Sequence, residues 1–147
     1  MSEHIVNVLR DLYEIQFRSV GVRIPSVNAW EDRTMAYDAR ILLSNMKSDR
    51  LSFFLWLISV PLAKDDKNVY GYAEKLNGAI VSTAKMATRT LVAKEVAFQV
   101  GIVLGLSPCR NDCIMKEADN FEILINKPST FCPTCIGKFN RLKLRYV

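Results

Sequence analysis

Apolar and polar positions fall into blocks that predict strands and helices in turn. Residues 5–9 (Ile-Val-Asn-Val-Leu) read as a first strand, and 10–19 as a short helix with Leu12, Ile15 and Phe17 turned partly inward. Val20, Val22 and Ile24 alternate as a second strand, which Pro25 ends. The polar stretch 26–34 reads as a loop. Over 34–47, Ala36, Ala39, Ile41, Leu42, Leu43 and Met46 form the broad apolar stripe of a helix. Residues 53–60 are a continuous apolar run of the kind buried inside a sheet. A charged loop at 64–68, a short strand at 69–72, a turn at Asn77-Gly78 and a strand at 79–83 follow. The longest helix is expected over 87–104, apolar nearly all round from Leu91, as suits a helix under a sheet or between two lobes. This order predicts an α/β (α+β) fold, a mixed sheet covered by helices. Beyond Gly105 the periodicity is lost. The division expected is therefore a subdomain over 1–105 and a smaller one over 106–147, packed as one compact unit.

Composition supports a globular domain. Half of the 147 residues are apolar and 24% are charged, which excludes a disordered chain. No apolar run approaches the about 18 residues of a membrane span, and no leader pattern opens the chain. A cytoplasmic protein with no membrane partner is the expectation. The net charge is +5, and the last ten residues carry Lys138, Arg141, Lys143 and Arg145 with no acid. Such a tail suits either a solvated end or contact with nucleic acid.

All four cysteines lie in the C-terminal part, as Cys109-x3-Cys113, then eighteen residues, then Cys132-x2-Cys135. Two close pairs supply the four thiolates of a tetrahedral structural zinc, and Pro133 shapes the tighter turn. Arg110, Lys116, Lys138 and loop amides are candidates to offset the excess negative charge. Disulfides and an iron–sulfur cluster are the alternatives. A site made only of thiolates is closed and contributes folding energy, not a Lewis acid.

The segment 94–109 reads KEVAFQVGIVLGLSPC, followed by Cys113-Ile114-Met115 and then FCPTCIGKF over 131–139. This resembles the archaemetzincin family of zinc metalloproteases. Their pattern is His-Glu-x-x-His-x-x-Gly-Leu-x-His-Cys, then Cys-x-Met, then Cys-x-x-Cys. Gly105-Leu106 and Cys109 anchor the match, with upstream similarity in 36–42, 69–73 and 78–82. The resemblance implies a metzincin-like twisted mixed sheet with a backing helix and a long central helix.

The departures bear on activity. Phe98 stands where the family has its first zinc-binding His, Gln99 replaces the general-base Glu, and Ile102 and Pro108 replace the second and third His. The first cysteine pair is also one residue closer than is usual in the family. Phe98 and Ile102 have no lone pairs, and Gln99 cannot take a proton from a metal-bound water. Glu95 does not restore a ligand set. The expectation is one structural zinc and no catalytic metal, with Phe98 and Ile102 packed against Met115.

The resemblance thus implies a non-catalytic protein with a protein or peptide partner. The strand containing Ala79, Ile80, Val81 and Ser82 is the candidate peptide cleft, on the expectation that it lies at a sheet edge. The rival readings are a zinc-dependent metallopeptidase with atypical ligands and a zinc-stabilised nucleic-acid-binding protein using Lys143 and Arg145. No hydrolytic triad is legible: Ser82, Ser107, Ser129 and Thr130 have only His4 as a candidate base. Glu31-Asp32 and Asp65-Asp66 read as loop caps.

Overall fold

The computed structural model describes residues 2–46 and 52–146. The chain opens with α1 (Ser2–Tyr13) and passes through a 3₁₀ turn at Val27–Ala29 into β1 (Trp30–Glu31), β2 (Ala36–Asp38) and α2 (Ala39–Ser44). Five strands follow: β3 (Phe54–Ile58), β4 (Leu62–Lys64), β5 (Lys67–Val69), β6 (Gly71–Glu74) and β7 (Gly78–Ser82). The central helix α3 (Arg89–Leu104) leads to α4 (Phe121–Asn126), α5 (Pro133–Leu142) and a closing 3₁₀ turn at Lys143–Arg145. The expected α/β character therefore holds.

The strands form two mixed sheets. One has the order β1-β2-β4-β5, with β2 and β4 parallel and the outer pairs antiparallel. The other has the order β3-β7-β6, with β3 parallel and β6 antiparallel to β7. Strand alternation divides the apolar side chains between the two faces of this second sheet. Leu55, Leu57 and Val81 join a core with Leu9, Tyr13, Val96 and Phe139. Phe54, Trp56, Ile58 and Ile80 join the other core, under Leu42 and Leu43 of α2.

Several expected elements are corrected. Residues 5–9 are helical, because Ile5, Leu9 and Tyr13 recur every four residues and are all buried against α3. The expected helix at 10–19 ends at Tyr13, and Glu14 follows with φ 58°. Residues 20–24 form no strand: Val20, Val22 and Ile24 are 85%, 99% and 86% exposed. The helix expected over 34–47 starts only at Ala39, where the Asp38 carboxylate accepts from the Ile41 amide (3.1 Å), and Lys47 lies outside the described residues. The loop expected at 64–68 is a β4–β5 hairpin turned by Asp65 and Asp66. Both have positive φ, as a type I′ turn requires. Their carboxylates pair with Arg40 (3.1 Å) and Arg33 (2.9 Å), an anchoring role.

One correction bears on binding. The strand carrying Ala79, Ile80, Val81 and Ser82 is the centre of its sheet, paired on both sides and buried throughout. Its amides are already engaged, so it cannot accept a peptide by strand addition.

Gly78 sits opposite Phe54, and a Cβ there would lie 2.5–2.6 Å from three ring atoms. Replacing it with alanine forces the ring out of its core. Gly78→Ala is expected to lower unfolding free energy by about 1–3 kcal/mol, the usual cost of overpacking, read as a lower urea midpoint at unchanged m-value.

Candidate metal centre

The four cysteines converge from three local structures. Helix α3 ends at Gly105, whose φ of +115° lets its amide and that of Leu106 close onto the helix's last carbonyls. The chain then turns back toward Cys109, whose amide donates to the Met115 carbonyl (2.7 Å). Cys113 opens a tight turn closed by the Lys116 amide (3.0 Å). Cys132 is the N-cap of α5, Pro133 begins the helix and Cys135 lies in its first turn. The thiols of all four lie within 4.8 Å of one another, with Cys109 and Cys132 sulfurs 3.8 Å apart.

A tetrahedron with Zn–S bonds of about 2.3 Å has sulfur–sulfur edges of about 3.8 Å, so the cluster fits such an ion. The amides of Cys132 (3.2 Å) and Met115 (3.4 Å) donate to the Cys113 sulfur, and the Asn111 side-chain amide faces the Cys132 sulfur at 3.7 Å. The Cys135 backbone amide does most to pull the Cys132 thiol down to about 6, while burial pushes Cys113 up. Negative charge at the start of α5 is further favoured by the helix dipole. Arg110 and Lys138, expected counter-charges, are exposed on the surface. Oriented amides take that part instead, and Asn111 was not foreseen.

A second constellation lies along α3. Phe98 and Gln99 are buried, Ile102 is half-buried and Pro108 is exposed. Met115 is fully buried in the same core as Phe98; a Cβ on Gly101 would overlap its sulfur and approach the Tyr13 hydroxyl to 2.8 Å. The Tyr13 hydroxyl donates to the Ala97 carbonyl. Over the Phe98 ring lies the Lys127 ammonium, 4.9 Å from the centroid, which donates to the carbonyls of Ile114 (3.0 Å) and Lys116 (2.9 Å). One turn before Gln99, Glu95 is buried with one carboxylate oxygen, Oε2, unpartnered. Lys94 reaches the Leu124 and Ile125 carbonyls at 3.2 and 2.7 Å, and Tyr70 stacks on Phe121 at 5.3 Å. The segment around α4 is thus laid over this side of α3.

Burial pushes the Glu95 carboxyl up to about 7, against the opposing pull of Lys127 and a hydrogen bond from Gln99. Burial likewise pushes Lys127 down to about 8, with Glu95 resisting. Lys94, Glu95 and Gln99 interrupt the apolar run of α3, which marks the helix side of this cluster, whereas Lys127 lies in the polar stretch 126–130 and carries no such signal.

The candidate hydroxyls do not assemble a nucleophile. Ser82 Oγ donates to the Val60 carbonyl (2.7 Å). Ser107 and Thr130 are exposed. His4 and Ser129 do line one groove of about 210 Å³, with Val8, Ala93, Ala97 and Ile114 among its walls, but no hydrogen bond joins them.

The profile of peptidase family M54 matches residues 29–141, spanning α3 and all four cysteines. The chain belongs to this family, the archaemetzincins. An archaemetzincin of Nanoarchaeum equitans is 27% identical over 138 residues, covering 91% of this chain and 79% of the relative. The archaemetzincin structure from Methanopyrus kandleri superposes with a TM-score of 0.85 at 23% identity, covering 98% of this chain and 86% of that one. A zinc-dependent peptidase from Methanocorpusculum labreanum gives 0.79 at 21% identity, covering 92% and 91%. Both superpositions establish the shared fold. Within this M54 chain, the four-thiol cluster differs from the His-Glu-x-x-His set of a catalytic zinc site.

Two outcomes follow. Cys113→Ser should abolish stoichiometric metal binding and open the 106–147 region to limited proteolysis, since metal-binding energy in such sites is folding energy. Separately, Glu95 has a folded pKa above its unfolded value, so its contribution to stability is complete below about 4.5 and is lost as pH rises through about 7. Urea midpoints should therefore fall across that window in the wild type, and Glu95→Gln should flatten the slope.

Proposed function

We propose that this chain is a catalytically inactive archaemetzincin that retains the fold and one structural zinc and acts through binding a protein or peptide. The observation that carries this reading is the Lys127 ammonium, seated 4.9 Å over the ring of Phe98, the residue that the resemblance sets against the family's first zinc-binding His. A buried cation and an aromatic ring supply no donor for a metal, and a fixed positive charge repels one. The other two ligand positions are hydrocarbon, Ile102 and Pro108, and Gln99 is an amide that cannot act as the general base.

Cys109, Cys113, Cys132 and Cys135 would hold the zinc. When bound it supplies four strong bonds that tie the end of α3 to the start of α5, with no open coordination position for water. The residues around it supply amide hydrogen bonds that stabilise thiolate charge. Four free thiols this close together suit a reducing compartment such as the cytoplasm. No described helix is long and apolar enough to cross a membrane.

The test is a metal count joined to an activity assay. Elemental analysis of the purified protein should give one zinc per chain, and unstructured peptide substrates should be cleaved no faster than in buffer with or without added zinc. A second tightly held metal, together with zinc-dependent hydrolysis that Gln99→Ala removes, would overturn the reading in favour of a peptidase with atypical ligands.

A further inference from the structure

Strand β3 is the end of its sheet. The Phe54 amide donates to Asn77 (3.3 Å) and the Ile58 carbonyl accepts from Thr83 (2.8 Å), so residues 54, 56 and 58 direct their backbone groups toward β7. By alternation, Leu55 and Leu57 present theirs to the opposite side, where no described strand pairs with them. This open edge borders apolar cores on both faces, since Leu55 and Leu57 pack toward α1 and α3 and Phe54 and Trp56 toward α2. A bare edge of that kind is a template for another strand.

The same chain carries a strand without a sheet. Val20, Val22 and Ile24 alternate with Ser19, Gly21 and Arg23, and every residue from 18 to 24 is exposed. Gly21 holds φ +129° with nothing near its missing Cβ, and glycine can return to extended geometry without cost. Phe17 packs on the core facing α3, and Ala29 is buried in the core on the other face of the sheet. Between these anchors, residues 20–24 pair with no described strand, β3 of the same chain included.

We infer that two copies of this chain exchange these elements, residues 20–24 of each adding as a strand to the β3 edge of the other. The arrangement is self-complementary, as a two-fold dimer requires. Val20, Val22 and Ile24 would extend one apolar core, and Arg23 on the opposite face would guard the new edge against further pairing. The inference rests on backbone pairing and exposure and is independent of the catalytic reading.

Sedimentation velocity between about 1 and 100 μM tests it, together with amide exchange. The wild type should dimerise, with amides of 20–24, Leu55 and Leu57 becoming protected as concentration rises. V20K/V22K changes two side chains that are almost wholly exposed, so the monomer fold should be unaltered by circular dichroism. Its dimer should weaken by at least about tenfold, with that protection lost. A wild type that stays monomeric throughout the range would overturn the inference. So would a dimer of undiminished strength in the variant, or protection of 20–24 that does not depend on concentration, which would mean pairing within one chain.

Discussion

A helix enclosed on nearly every side must find a partner for each polar group it carries, and α3 sets this constraint on the whole molecule. From Val92 to Gly101 every residue is buried, including Lys94, Glu95 and Gln99. A buried ammonium left unpaired costs several kcal/mol, on the order of the folding free energy itself. Lys94 meets that demand by taking the Leu124 and Ile125 carbonyls at the end of α4. Lys127, just beyond α4, donates to the carbonyls of Ile114 and Lys116 and lays its ammonium over the Phe98 ring of α3. Two lysines thus bind the irregular region after Gly105 to the helix. Tyr13 and Met115 complete the attachment by meeting at Gly101, the one place on that side of α3 with no side chain.

The same arithmetic explains how the face of α3 around Phe98 is closed. An empty pocket lined by Phe98 and Ile102 would forfeit the dispersion contacts of both, and burying each contributes about 1.5–3 kcal/mol. The chain instead closes the space with its own cation. The ammonium of Lys127 gains two carbonyl bonds, the face of an aromatic ring and the long-range attraction of Glu95. A desolvated cation–π contact adds roughly 2 kcal/mol. Burial pushes the lysine pKa down to about 8, and the nearby Glu95 opposes that shift. Glu95 is the weaker partner: its Oε2 has no hydrogen bond, and its pKa has risen furthest from the ordinary range for a carboxylate.

How much of this was legible in the sequence depends on the range over which each feature is specified. The cysteine cluster was, because its donors come in close pairs whose spacing encodes the turns. So was α3, whose apolar run is too long for a strand. The 5–9 segment was not: within five residues Ile5, Val6, Val8 and Leu9 satisfy either period, and only Tyr13, four residues beyond Leu9, decides for a helix. The charges at 64–68 suggested a loop, yet positive φ at both Asp65 and Asp66 makes them the turn of a hairpin. The alternation at 20–24 has the period of a strand, but the segment is exposed and pairs with no described strand, so the pattern alone did not decide its structure. Lys94 and Lys127 were illegible because their partners are backbone carbonyls 30, 31, 13 and 11 residues away, which no side-chain pattern records.

The thiol site and the helix face can change independently because their geometry has different sources. The thiols are placed by turns and amides: the closure at Gly105, the Cys113 turn and the first turn of α5. None of these requires a particular side chain on the face of α3. Pro108 shows the separation within two adjacent residues. Pro108 contributes no donor atom, but its fixed φ and its constraint on Ser107 shape the approach to Cys109. The sulfur cluster therefore takes its geometry from the backbone between Gly105 and the first turn of α5, not from the face of α3.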